Sequence, residues 1–316
     1  MIAAPPGETE LGLQGLSDIL IRPARFPPPV RPGDRVGVAA LSGPVDEGRL
    51  ERGLDELRRL GLDPVPAANV RSRRGPLAGS DRERLTAFHQ LAARDDLAAI
   101  FFARGGHGSL RLLAEIDWEL LAGRPRAWVG YSDVTPFLLG VVARLGLVAF
   151  HGPMVAVEAA RRLGAAEERG LMGALSGRPV AELPVVGLRE GRASGPLVGG
   201  CLSLLAATAG TPWQPDLRGA LFFWEDVGEP LYRLDRMLLQ LRDAGVLHGL
   251  AGMVVGRSAV SAKRREEAWE LFAGTLGSTG YPVAFHCPSG HCRPNMTLPL
   301  GAPATLDTER GLLLLG

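Results

Sequence analysis

The sequence has little of what marks several protein classes. Its three cysteines, Cys201, Cys287 and Cys292, are an odd number at spacings that make no disulfide framework, and no second Cys/His pair completes a zinc site. A disulfide-stapled fold is therefore excluded, and a reducing compartment fits. Neither sign of charge dominates: Lys plus Arg total 35 against 34 Asp plus Glu, a formal net charge of +1. Such a balance draws the chain to no polyanion or acidic membrane surface, so neither nucleic acid nor membrane is an expected partner. No apolar stretch of about 18 residues occurs, and Met1 to Val30 has no charged region followed by an apolar run. The expectation is a cytoplasmic protein whose residues 1–30 form a loosely held extension. Repeats and low-complexity tracts are missing too, since the 25 prolines and 42 glycines are scattered as punctuation.

What is present suits a folded enzyme. With 316 residues and 46% hydrophobic composition the chain can bury a substantial core, and its length predicts two domains. Arg35 to Ala40 reads as a buried strand, and Leu50, Leu54, Leu57 and Leu60 then recur at helical spacing before Gly61. Ser80 and Glu83 form a capping-box pattern opening a helix that runs to about Arg94. Ala98 to Ala103 is the next strand, Ser109 to Glu115 reads as helical, and Trp128-Val129-Gly130 ends another strand before an apolar helix from Val134 to Leu145. Alternation of this kind predicts a Rossmann-like parallel sheet over 31–155. Residues 156–192 are less regular and read as the connection. From 193 to 316 the pattern predicts a smaller, mixed, β-rich domain: an apolar run from Ala220 to Trp224, a helix with Leu234, Met237, Leu238 and Leu241 on one face, and strand-like Gly252 to Gly256.

Several motifs can carry chemistry. In Gly130-Tyr131-Ser132-Asp133 the serine turns a strand-to-helix corner, where a nucleophile stands clear of its backbone and the Asp133 amide can meet an oxyanion. The second Gly of a G-x-S-x-G elbow is absent, so these four residues alone do not separate a nucleophile from a helix cap. Arg104-Gly105-Gly106-His107-Gly108 can cradle an anion on its amides. It lacks the third Gly of G-x-G-x-x-G, which disfavours a dinucleotide, and no cofactor is expected. Glu225 ends the apolar run, where an ionised carboxylate needs a partner; Asp226 and Glu229 are alternatives to it. His291 sits in a turn-rich loop. Cys201 follows Gly199-Gly200 and competes as a nucleophile, although its apolar surroundings favour an inert thiol. His286, Cys287, His291 and Cys292 are too compressed for a zinc site, so no metal is expected.

Together these motifs resemble the LD-carboxypeptidase family, serine peptidases that include the microcin-immunity enzymes. The resemblance spans about Arg31 to Leu306. It rests on Pro32-Gly33-Asp34-Arg35-Val36, Ala78-Gly79-Ser80-Asp81 with Arg84, Arg104-Gly105-Gly106 with Gly108, Gly130-Tyr131-Ser132-Asp133 and His151-Gly152-Pro153-Met154. Further matches are Gly195 to Gly200, Glu225-Asp226-Val227-Gly228-Glu229, Tyr232 to Arg236, and Gly290-His291 with Asn295 and Leu298-Pro299-Leu300-Gly301. It implies a Ser132, Glu225, His291 triad, with Gly106 and Asp133 amides as candidates for the oxyanion hole. It also implies cleavage of the L,D-amide before a terminal D-alanine in murein tetrapeptides during cell-wall recycling, and a homodimer. The alternatives are an immunity-type enzyme cutting a peptidyl-nucleotide, or an inactive peptide-binding homologue. His107, Cys201 and Trp224 depart from the family's usual residues and are expected near the substrate.

Overall fold

The computed structural model describes residues 23–180, 182–276 and 280–316. Its first half alternates strand and helix: β1 (Arg35–Ala39), α1 (Glu47–Arg59), β2 (Asp63–Pro66), α2 (Asp81–Ala92), β3 (Leu97–Phe102), α3 (Trp118–Ala122), β4 (Ala127–Gly130), α4 (Thr135–Leu145) and β5 (Ala149–His151). The second half continues with α5 (Ala165–Leu175), β6 (Glu182–Pro184), β7 (Val186–Arg189), β8 (Arg192–Cys201), α6 (Leu202–Thr208), β9 (Leu221–Glu225) and α7 (Leu231–Asp243). It ends with β10 (Gly252–Gly256), α8 (Arg265–Leu276), β11 (Val283–Cys287), β12 (Leu298–Leu300), β13 (Pro303–Asp307) and β14 (Leu312–Leu315).

Local sequence accounts for many of these boundaries. In α1, Leu50, Leu54 and Leu57 are buried on one stripe, and Asp46 accepts the amide of Arg49 at the N-terminus. At α2 the capping box is complete, with Ser80 and Glu83 each accepting the other's backbone N–H. In α7, Leu234, Leu238 and Leu241 are buried.

Strand order in the first sheet is β12-β5-β4-β3-β1-β2, six strands. Those from β1 to β5 run parallel, and β12, from the far end of the chain, joins antiparallel to β5. Its faces are both covered: Val36, Val38 and Phe101 lie in one core cluster, Ile100, Phe102 and Trp128 in another. β1 and β3 adjoin although β2 lies between them in sequence, which makes a topological switch point where parallel sheets open a crevice at their carboxyl ends. The second sheet has eight strands in the order β6-β14-β13-β8-β9-β10-β11-β7, parallel from β8 to β11 and antiparallel outside them. The fold class is thus mixed α/β, a parallel-rich first sheet followed by a mixed second one, as expected.

Three details differ from the sequence expectation. Ser109 to Glu115 forms two short 3-10 turns, Ser109–Arg111 and Leu113–Glu115, closed by bonds from the Leu112 amide to Ser109 and from the Glu115 amide to Leu112. Residues 156–192 carry α5, β6 and β7, whose Ala, Gly and Arg composition hides any apolar period. Residues 1–22 lie outside the described residues, but 23–30 are not loose. The Ala24 amide donates to Gly301, the Val30 amide to Leu175, and Val30 is buried.

The two sheets meet where β8 ends against α4. Gly200, at φ 148, lies so close that an added Cβ would stand 2.6 Å from the side chain of Thr135, whose hydroxyl accepts the Cys201 amide. Gly200→Ala is therefore expected to destabilise the protein by about 1–3 kcal/mol through overpacking, read as a lower urea midpoint with an unchanged m-value. An unaltered midpoint would contradict this tight approach.

Candidate active site

Ser132 lies two residues past the end of β4, at the carboxyl edge of the first sheet. Its φ is 62, a left-handed conformation that a non-glycine residue adopts only where its surroundings impose it. Those surroundings are specific. Gly130 has no room for a side chain, since a Cβ there would lie 2.7 Å from the Phe102 ring. The buried Tyr131 donates its hydroxyl to Glu158 at 2.8 Å. Asp133, also buried, accepts the Ser109 amide at 2.9 Å, and its carbonyl accepts the Ser109 hydroxyl. The Gly-rich turn after β3 is thereby tied to the corner. Gly105 is pressed against Ser132, for an added Cβ would stand 3.0 Å from its Oγ, and Gly106 is exposed at φ 113. Arg84, fully buried, holds the other side of this turn by donating to the carbonyls of Gly108 (3.0 Å) and Leu41, with Asp81 as its counter-ion at 2.6 Å.

Glu225 ends β9 with no exposure to water. Its Oε2 accepts from Nδ1 of His291 at 2.8 Å, from the His291 amide at 3.1 Å and from the Ser258 hydroxyl at 3.1 Å. Glycines allow this enclosure: a Cβ on Gly256 or Gly290 would lie 2.5 Å from Glu225 side-chain atoms. The loop bearing His291 is pinned by Asn295, whose Oδ1 accepts the Gly290 amide, while the Asn295 amide donates to Glu167 at the start of α5. The imidazole edge remains open, the side chain being 21% exposed. Burial pushes the Glu225 carboxyl up, but the hydrogen bond and charge of His291, with the nearby His151, outweigh it and hold it below its ordinary value. Burial pulls His291 down, and the hydrogen bond and charge of Glu225, aided by Asp226 and Glu158, hold it above its ordinary value.

Of the three residues expected to act together, Glu225 and His291 are thus hydrogen-bonded. Among the described residues no hydrogen bond joins Ser132 to His291, but Tyr131, its chain neighbour, packs its ring edge-on against the His291 ring at 4.8 Å. The alternative acids are committed elsewhere. Asp226 accepts the Ser203 amide at the start of α6 at 2.8 Å, and Glu229 pairs with Arg233. Cys201 is buried, with its thiol held well above its ordinary value by burial and by Glu225 and Asp226, so it is no ready nucleophile. His107 is exposed on the Gly-rich turn. Trp224 contradicts the expectation that it lies near the substrate. Successive strand residues face opposite ways, so with Glu225 turned inward Trp224 points to the helices and packs on Phe272. Sequence reasoning assigned no role to Ser258, Ser109, Glu158 or Glu167, which carry no local signature.

The sequence profile of the LD-carboxypeptidase N-terminal domain matches residues 36–152, and that of the LD-carboxypeptidase C-terminal domain matches residues 194–306. A putative carboxypeptidase of Streptomyces coelicolor is 42% identical, over 94% of this chain and 96% of that protein. The chain belongs to the LD-carboxypeptidase family. A probable murein peptide carboxypeptidase of Bacillus subtilis is 36% identical over 89% of this chain and 91% of its own length. Among solved structures, the muramoyltetrapeptide carboxypeptidase of Oxalobacter formigenes superposes with a TM-score of 0.78 at 29% identity, covering 89% of this chain and 97% of that one. Among the described residues of this family member, no helix is long and apolar enough to cross a membrane.

The Glu225 and His291 shifts make stability depend on pH. Glu225 is depressed, so its contribution is present above its ordinary 4.5 and is lost as pH falls through the folded value. His291 is raised, so its contribution is present below its ordinary 6.5 and is lost as pH rises through the folded value. The Tm deficit of a His291→Gln variant is expected to be greatest near about pH 5.5 and to narrow toward about pH 9. Thermal unfolding across that range measures it, and a deficit independent of pH would sink the argument.

Proposed function

We propose that the protein is a cytoplasmic serine carboxypeptidase that hydrolyses the amide between an L-centre and a terminal D-amino acid, releasing D-alanine from murein tetrapeptides. The observation that carries this reading is a left-handed serine just past a strand end, whose chain neighbour Tyr131 packs on a carboxylate-bound histidine, in a chain of this family. The names borne by its relatives support the substrate class.

In this mechanism Ser132 Oγ attacks the scissile carbonyl while Nε2 of His291 takes its proton. Glu225 accepts from Nδ1, which leaves Nε2 free as the base and stabilises the imidazolium that forms. The carbonyl oxygen becomes an oxyanion within reach of the Gly106 and Asp133 amides, where loss of one donor typically costs about 2.7–4 kcal/mol of barrier. His291 then returns its proton to the departing amine, D-alanine leaves, and an acyl-enzyme on Ser132 remains for water to hydrolyse. The nucleophile comes from the first domain and the acid and base from the second, so the substrate lies in the crevice between the two sheets.

Incubation with murein tetrapeptide is expected to release D-alanine, and Ser132→Ala to abolish the release; equal release by both proteins would overturn the assignment. Glu225→Gln is expected to lower kcat by about 10⁴-fold, because a carboxamide disfavours the productive tautomer. A peptidyl-nucleotide amide offered in parallel separates the immunity-type alternative. Failure of a serine-directed phosphonate to label Ser132, with muropeptide still bound, would point to an inactive binding protein.

A further inference from the structure

The Glu225 carboxylate is served unevenly. Its Oε2 takes three hydrogen bonds, whereas Oε1, equally buried, takes none among the described residues. Facing Oε1 is Nε2 of His151, 4.0 Å away and, among the described residues, likewise buried without a partner. His151 has no part in the steps above. It ends β5, is fully enclosed, and is packed by the rings of Tyr131 at 5.4 Å and Phe223 at 5.2 Å. A carboxylate oxygen only accepts, while an imidazole nitrogen can donate or accept, so the two atoms suit each other only when Nε2 carries a proton.

Ser289 decides where that proton sits. Its hydroxyl, fully buried, lies 2.8 Å from the Met296 carbonyl and 3.3 Å from Nδ1 of His151. It has one proton to donate. Donated to Met296, it leaves Nδ1 as the donor and sets a bare Nε2 against a bare carboxylate oxygen. Donated to Nδ1, it moves the imidazole proton to Nε2, aimed at Oε1. The second arrangement gives up the 2.8 Å bond to the Met296 carbonyl and, once Nε2 closes on Oε1 from 4.0 Å, gains a charge-assisted one, roughly twice as strong, at a buried charged oxygen that would otherwise be costly.

We propose that His151 is a positioning residue for Glu225: Ser289 holds it as the Nε2–H tautomer, and Nε2–H donates to Oε1, fixing the carboxylate with Oε2 turned to His291. This rests on the reading that Glu225 orients His291. The 4.0 Å separation exceeds a hydrogen bond; a closure of about 1 Å makes one, the kind of tightening catalytic contacts undergo when substrate binds. Burial keeps His151 neutral, pushing its pKa down to about 4 against the pull of Glu225. It therefore steadies the carboxylate without taking the charge that His291 needs. The titratable groups facing it are Glu225 on β9, His291 in its loop and Tyr131, whose hydroxyl is bound by Glu158.

The direct test uses wild-type protein labelled with ¹⁵N-histidine at neutral pH, the His151 signals being identified among the six histidines by their loss in His151→Gln. A protonated-type Nε2 shift is expected, and a bare-type Nε2 shift overturns the proposal. Kinetics supply a second test. His151→Phe, which keeps the bulk and loses the donor, is expected to lower kcat about 10–100-fold, the range seen when the outer hydrogen-bond partner of a metal ligand is removed, with KM unchanged. Its acidic limb of kcat/KM should move to higher pH, since an undispersed charge on Glu225 raises His291 further. His151→Gln, whose amide N–H reaches the Nε2 position, should recover most of the loss. A Phe variant equal to wild type, or a Gln variant no better than Phe, overturns the role. The nitrogen shift is read without substrate, so it remains decisive if D-alanine release itself fails.

Discussion

A carboxylate sealed from water has to be surrounded by donors, and the architecture around Glu225 follows from that requirement. Removing such a charge from water costs several kcal/mol, offset only where geometry is close and hydrogen bonds are several. Three donors reach Oε2 from two separate segments, the turn after β10 and the loop of His291. Glycines at 256 and 290 let those segments approach nearer than any side chain would permit. Asn295 and Glu167 then hold the histidine loop in place. Each of these features is intelligible only as support for one buried charge.

That charge lies at the carboxyl edge of two parallel strand sets. In the first sheet, the segments after β3 and β4 supply the Gly-rich turn and Ser132, and the end of β5 supplies His151; in the second, the end of β9 supplies Glu225 and the turn after β10 supplies Ser258. Parallel strands end together at one edge, so residues distant in sequence converge there without long excursions. The contact between β8 and α4, closed by Gly200, brings the two edges against one another. Arg84 adds another buried charge, which holds carbonyls of the loops after β1 and β3.

Where a structural feature is made by residues close in sequence, it was legible. The capping box of Ser80 and Glu83 and the leucine stripe of α1 needed only neighbours three or four positions apart. α5 was not legible, because small residues and arginines produce no apolar period, and the short antiparallel strands of the second sheet leave too few residues to show alternation. Trp224 differs from expectation for another reason: it adjoins Glu225 in sequence, but strand alternation sends the two side chains to opposite faces.

The sequence by itself determined the alternation of strands and helices in the first half of the chain, the glycine corners, and a short set of residues able to act as nucleophile, base and acid. It also identified the family through motifs in their order. Only the tertiary structure decided which acid serves the histidine, since Glu225 and His291 are 66 residues apart and Asp226, one position on, instead bonds the amide of Ser203. It alone put Ser132 in a left-handed conformation and set His151 against the unpaired oxygen of Glu225. The physical reason is common to all three: hydrogen-bond partners and backbone strain are set by what surrounds a residue in space, and segments far away along the chain supply those surroundings.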